Sequence, residues 1–163
     1  MRNAFIALAL LSLAISACGR SDAPASASAS STTASTAGQS ASASATVGGA
    51  TLQTSTVAIA GLNDTVAARY GIDRAQEGLL LLVTVRDASG NGIEPGDLRL
   101  SATAAALPDP PKPLELRAIR TDGMTDYIGV LHATAPASVQ FRLTAIRGGA
   151  RADIATTSEL YPR

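Results

Sequence analysis

Asp97-Leu98-Arg99-Leu100-Ser101-Ala102-Thr103-Ala104 alternates strictly between polar and apolar side chains, and this stretch decides the fold. Successive side chains of an extended strand point to opposite faces of a sheet. Leu98, Leu100, Ala102 and Ala104 therefore form a dry face, and Asp97, Arg99, Ser101 and Thr103 a wet one. A strand dry on one side only fits an antiparallel sheet whose dry face is covered by a second layer.

The same pattern recurs downstream. Leu114, Leu116 and Ala118 alternate with Glu115 and Arg117. They follow Pro108-Asp109-Pro110-Pro111-Lys112-Pro113, whose prolines predict a stiff, extended loop that lends no amides to a sheet. Residues 127–133 read as a further strand. Val139, Phe141, Leu143 and Ala145 oppose Gln140, Arg142 and Thr144, and residues 151–160 supply the last strand.

Upstream, Leu79-Leu80-Leu81-Leu82-Val83-Thr84-Val85-Arg86 is apolar on both faces at its start and alternates afterwards. That predicts a central strand, covered by the opposing layer on one side and partly by a helix or the N-terminal tether on the other. Asp87-Ala88-Ser89-Gly90-Asn91-Gly92 turns the chain after it. Residues 51–60 carry Thr54, Thr56, Val57 and Ile59 and read as the first strand. Between them, Val66, Ala67 and Tyr70 fall on one side at helical spacing, with Asn63 or Asp64 as cap and Gly71 as terminator. Short strands at roughly 8 to 12 residue spacing predict an all-β domain with one short helix, an antiparallel immunoglobulin-like β-sandwich.

The N-terminus has another character. Arg2 precedes a run over residues 4–17 that is apolar apart from Ser12 and Ser16. This is the layout of a signal peptide, and it is too short for a bilayer span of about 20 residues. Ile15-Ser16-Ala17-Cys18 resembles a bacterial lipobox. The resemblance implies cleavage before Cys18, a diacylglycerol on its sulfur and a further acyl chain on the new amino group. Two or more chains anchor stably where one binds only marginally. The plain alternative is that Cys18 is a small residue in a hydrophobic segment and the protein is secreted after cleavage near Ala17. Gly19, rather than Asp, follows the cysteine, which by resemblance to Gram-negative sorting rules favours the outer membrane facing the periplasm. Residues 18–50 are Ser, Ala and Thr-rich and read as a disordered linker, leaving residues 51–163 as the domain.

Composition narrows the function. Thirteen basic and 13 acidic side chains balance, so no basic patch is expected to recruit nucleic acid. With its single cysteine acylated the chain has no thiol left for a disulfide. Aromatics are 3% of residues and tryptophan is absent, so the core must be aliphatic and stacking surfaces few. The expected partners are a membrane, through Cys18, and an envelope protein; no cofactor and no metal are expected.

Leu62 to Arg74, read as Leu-x-x-x-Val-Ala-x-x-Tyr-Gly-Ile-x-Arg, precedes a Gly-Leu-Leu strand at residues 78–85. With Asp126-Tyr127-Ile128 and Val139-Gln140-Phe141-Arg142-Leu143, this order of features resembles the bacterial domain-of-unknown-function family 4426. The resemblance implies an exported β-domain without an established activity. Members usually carry Ser where this chain has Ala75, and a Tyr-Tyr pair where it has Asp126-Tyr127.

Three groups invite chemistry. His132 is the only histidine, so a triad or a histidine-based zinc site would have to pass through it; without a nucleophile elbow it reads as a surface histidine. Asp87-x-Ser89-x-Asn91-Gly92 echoes half a calcium loop, but the twelfth position is Leu98 and a β-turn is the simpler reading. Arg74 with Tyr70, Asp73 and Glu77 is the best polar constellation, a candidate for docking a carboxylate or phosphate. Its plainer role is to brace the loop between helix and strand. The expected function is a binding or structural module anchored in the cell envelope. An accessory subunit of an envelope complex and, from another class, a hydrolytic enzyme are the alternatives.

Overall fold

The strict alternation after Asp97 becomes β4 (Arg99–Ala106), with Ala102 and Ala104 buried and Arg99 and Ser101 exposed. The computed structural model describes residues 41–162, and among these the strand is one of nine. The others are β1 (Ser42–Val47), β2 (Ala50–Ala58), β3 (Gly78–Arg86), β5 (Lys112–Leu114), β6 (Arg117–Thr121), β7 (Met124–His132), β8 (Ala137–Arg147) and β9 (Ala150–Leu160), with a single helix α1 (Asp64–Tyr70) preceded by one 3-10 turn at Ile59–Gly61. The strands form two antiparallel sheets, one of order β1-β2-β3-β7-β6 and one of order β5-β4-β8-β9. Facing each other, they make the predicted sandwich. Among the described residues no helix is long and apolar enough to cross a membrane.

The core follows from the period of two. Leu79, Leu81, Val83 and Val85 of β3, with Leu52 of β2, meet Val139, Phe141, Leu143 and Ala145 of β8 and Ile154 of β9. The intervening side chains of β3 and β7 point the other way. Leu80 and Ile128 there form a second, smaller cluster beneath Leu62 and Ala67, with Val57, Val66, Tyr70 and Val130 packed around it. Leu79 to Leu82 are apolar on both faces because α1 covers the outer face of this sheet, which the sequence had left open between helix and tether.

At seven residues α1 is too short to be stable alone, so its caps and its buried stripe hold it. The Asn63 side chain accepts the Val66 N–H at 2.8 Å. Gly71 closes the other end in the left-handed region, φ 63°, with the Ile72 N–H reaching the Ala67 carbonyl at 2.9 Å. Asn63→Ala orphans that N–H and is expected to lower stability by about 1 kcal/mol. A urea melt should show the midpoint moving while the slope stays constant.

Two boundaries differ from the sequence reading. The linker was expected to run to residue 50, yet Ser42–Val47 is a strand, joined to β2 through Gly48-Gly49 with Val47 opposite Ala50. Its inward side chains, Ala43, Ala45 and Val47, are small and alternate with Ser42, Ser44 and Thr46, so the segment is easily taken for low-complexity tether. What orders it is tertiary: Ala43 and Val47 are buried, and the Thr54 hydroxyl bridges the Ala43 carbonyl at 3.1 Å and the Thr156 hydroxyl of β9 at 3.0 Å. Residues 1–17 and Cys18 lie outside the described residues.

The second difference concerns residues 112–121. The alternation of Leu114, Leu116 and Ala118 predicted one strand after a loop that cannot pair. The chain instead makes two strands in different sheets: Leu114 pairs with Ala102 of β4, and Arg117 with Ile128 of β7. Pro113 pairs as well, opposite Thr103, because β5 is an edge strand where a missing N–H can face outward. Gly129 of β7 makes the crossover fit, since a Cβ there would lie 2.8 Å from Leu114 Cδ2 and 3.0 Å from Leu116 Cδ2.

Candidate functional site

The loop from α1 to β3 carries the constellation singled out in the sequence. Arg74 forms an ion pair with Asp64 in the first turn of α1, tying the loop back to the start of the helix. The Asp73 carboxylate accepts the Ala75 N–H at 2.9 Å. Tyr70 is half-buried, packs against the cluster beneath α1, and offers its backbone carbonyl to Arg117 Nη2 of β6. Glu77 is exposed just ahead of β3. Arg74 and Tyr70 are thus engaged in holding the helix, its loop and the β6 edge together. An ion pair this open to water stabilises by well under 1 kcal/mol.

The other sequence candidates are also placed. His132 ends β7 opposite Gly78 and is exposed. Asp87 closes its own turn: its Oδ1 accepts the N–H groups of Ser89 at 2.8 Å and Asn91 at 2.9 Å. Those bonds, the one to Asn91 foremost, hold its carboxyl below the usual range, so the carboxylate serves the turn that the sequence predicted. At the departure from the family pattern, Asp126 pairs with Arg86 at 3.0 Å on the outer face of the five-stranded sheet. Tyr127 points inward against the main core, and burial pushes its phenol up.

A further site lies on the outer face of the four-stranded sheet. An open groove of about 480 Å³ is lined there by Ser101, Thr103, Arg142, Thr144, Arg151 and Asp153 among others. Strand register builds it: Thr103 lies opposite Arg142, Ser101 opposite Thr144, and Thr144 opposite Asp153, giving rows of polar side chains across β4, β8 and β9. Asp153 accepts from the Thr144 hydroxyl at 2.6 Å, from Arg151 Nε at 3.1 Å and from Arg151 Nη2 at 3.0 Å. The bond from Arg151, with that from Thr144, holds the Asp153 carboxyl below the carboxylate range, and the Arg151 guanidinium is raised in turn. Arg142 makes one neutral contact, its Nε donating to Gln140 Oε1 at 3.2 Å. Sequence reasoning missed this site, although Gln140, Arg142 and Thr144 were read as the wet face of a strand. Which wet residues of three strands become neighbours depends on register, which a single sequence does not state.

Comparison with known proteins places this architecture. Nothing among curated proteins matches the chain. A crystal structure, at 2.09 Å resolution, of a DUF4426 family protein from Pseudomonas aeruginosa PAO1 is similar to it, with a TM-score of 0.58 and 16% identity over 74% of this chain and 94% of that one. At that identity the likeness is one of fold. The family model described as a domain of unknown function, DUF4426, matches residues 44–163, starting within β1 and covering all later strands. This chain belongs to the DUF4426 family.

Proposed function

We propose that the protein is a lipid-anchored module of the bacterial cell envelope, exported by its N-terminal segment, acylated on Cys18 and held at the outer membrane facing the periplasm, where its sandwich binds or braces another envelope component. The observation that carries this reading is Ile15-Ser16-Ala17-Cys18 at the end of the apolar run, with the chain's lone cysteine at the position that a lipobox requires. Stable anchoring needs two or more acyl chains, which the modification at such a cysteine supplies. The position of β1 adds to it: residues 19–41 separate Cys18 from the first strand and give the sandwich a reach of at most about 80 Å from the lipid.

Replacing Cys18 by serine tests the reading. In cells fed labelled palmitate, the wild-type chain is expected in the membrane fraction and labelled. Cys18→Ser is expected unlabelled and soluble. A variant that stays with the membrane, or a wild-type chain that takes up no label, would sink the proposal.

A further inference from the structure

The groove on the four-stranded sheet contains one carboxylate and two guanidinium groups, and they are unevenly committed. Asp153 is engaged by Thr144 and by two nitrogens of Arg151. That leaves Arg142 beside it without an acidic partner: among the described residues its one hydrogen bond is to Gln140 through Nε, and both terminal nitrogens are unengaged. A guanidinium with its outer edge open presents parallel N–H groups at the spacing of the two oxygens of a carboxylate or phosphate. Beside it lie the hydroxyls of Thr103, directly opposite in the register, and of Ser101 in the next row, neither hydrogen-bonded to another described residue. Hydroxyls donate and accept, so they suit ligand hydroxyl groups adjoining the anionic one. The volume, about 480 Å³, falls within the range of roughly 300 to 1,000 Å³ that small-molecule sites occupy.

We infer that this groove binds a small hydroxylated anion, a sugar acid or sugar phosphate, with Arg142 clamping the carboxylate or phosphate and Ser101 and Thr103 holding neighbouring hydroxyls. Binding in this groove requires neither the lipid anchor nor the envelope role.

The test is a titration of the full-length, isotope-labelled protein in detergent, followed through its backbone amide resonances, with glucuronate, glucose 6-phosphate and glucose as separate probes. Glucuronate or glucose 6-phosphate should shift the amides of Ser101, Thr103, Arg142 and Thr144, and glucose should not. Which of the two anions binds more tightly identifies the source of the oxyanion. Arg142→Gln, at an exposed position, should weaken binding at least about tenfold, the factor that one lost charge-assisted contact carries. Thr103→Val should weaken it severalfold and provides a readout should Arg142→Gln fail to fold. Equal shifts with glucose or with sodium chloride, absence of shifts with both anions, or undiminished binding in the folded variants would each overturn the proposal.

Discussion

Gly78→Ala is expected to be strongly destabilising, with a loss of about 3 to 5 kcal/mol out of the 5 to 15 that a domain commonly has. Gly78 opens β3 with φ 148°, in a region that residues bearing a Cβ avoid. An alanine Cβ there would lie 2.1 Å from the Leu131 carbonyl oxygen, 3.0 Å from its carbon and 3.1 Å from His132 Cα. All three atoms are backbone of β7, which pairs with β3 from Gly78 through Thr84, so no side-chain rotation relieves the contact. Relief requires parting the two central strands, and those strands carry both hydrophobic clusters. Gly123→Ala is the matched control, because Gly123 also has positive φ, 77°, but a Cβ there meets nothing within 4 Å. It should lose only about 1 to 2 kcal/mol, the cost of the left-handed backbone. Urea unfolding of the two variants separates the effects, and equal losses would remove the close-approach explanation.

Phe141→Ala should cost about 3 to 5 kcal/mol. Phe141 heads the fully buried side chains by volume and is 1% exposed. It projects from β8 into a core otherwise built of Leu, Val, Ile and Ala. The neighbours that would have to collapse into the space are strand residues in two paired sheets, and its direct partners in the register are Ala104 and Thr156, too small to fill it. Phe141→Leu keeps most of the volume and should cost less than half as much. Thermal unfolding in the same buffer distinguishes the two. If alanine and leucine lost equally, cavity formation would not be the dominant cost.

These two positions differ in how far they could be read from the chain alone. Phe141 is legible, since its flanks alternate with Gln140 and Arg142, and a strand with one dry face must put it inside. Gly78 is not, because a glycine ahead of a leucine run looks like ordinary punctuation until β7 is seen lying against it. The helix was legible with Gly71 as its terminator and with its N-cap narrowed to Asn63 or Asp64, of which the structure takes Asn63; both caps act within one turn of their own position. Around Arg74 the sequence named Tyr70, Asp73 and Glu77, whereas the ion pair that Arg74 makes is with Asp64. That partner was not expected, because ten residues separate the two in sequence and the helix-loop geometry brings them together.

What the amino-acid sequence determined by itself is which side chains of β3, β4 and β8 face inward, the place of α1, and thereby a two-layer antiparallel domain with an aliphatic core. A period of two or 3.6 is a local property, and the backbone enforces it wherever the segment ends up. The tertiary structure alone decided which strands are neighbours. It drew Ser42–Val47 into the sheet beside β2, divided residues 112–121 between two sheets, and aligned β4, β8 and β9 so that Thr103, Arg142 and Asp153 line one groove. The reason is that alternation specifies inside and outside but carries no address. Partner and register are settled only when all the dry faces are buried together, where a slip of one residue would turn a whole strand's apolar side chains into water.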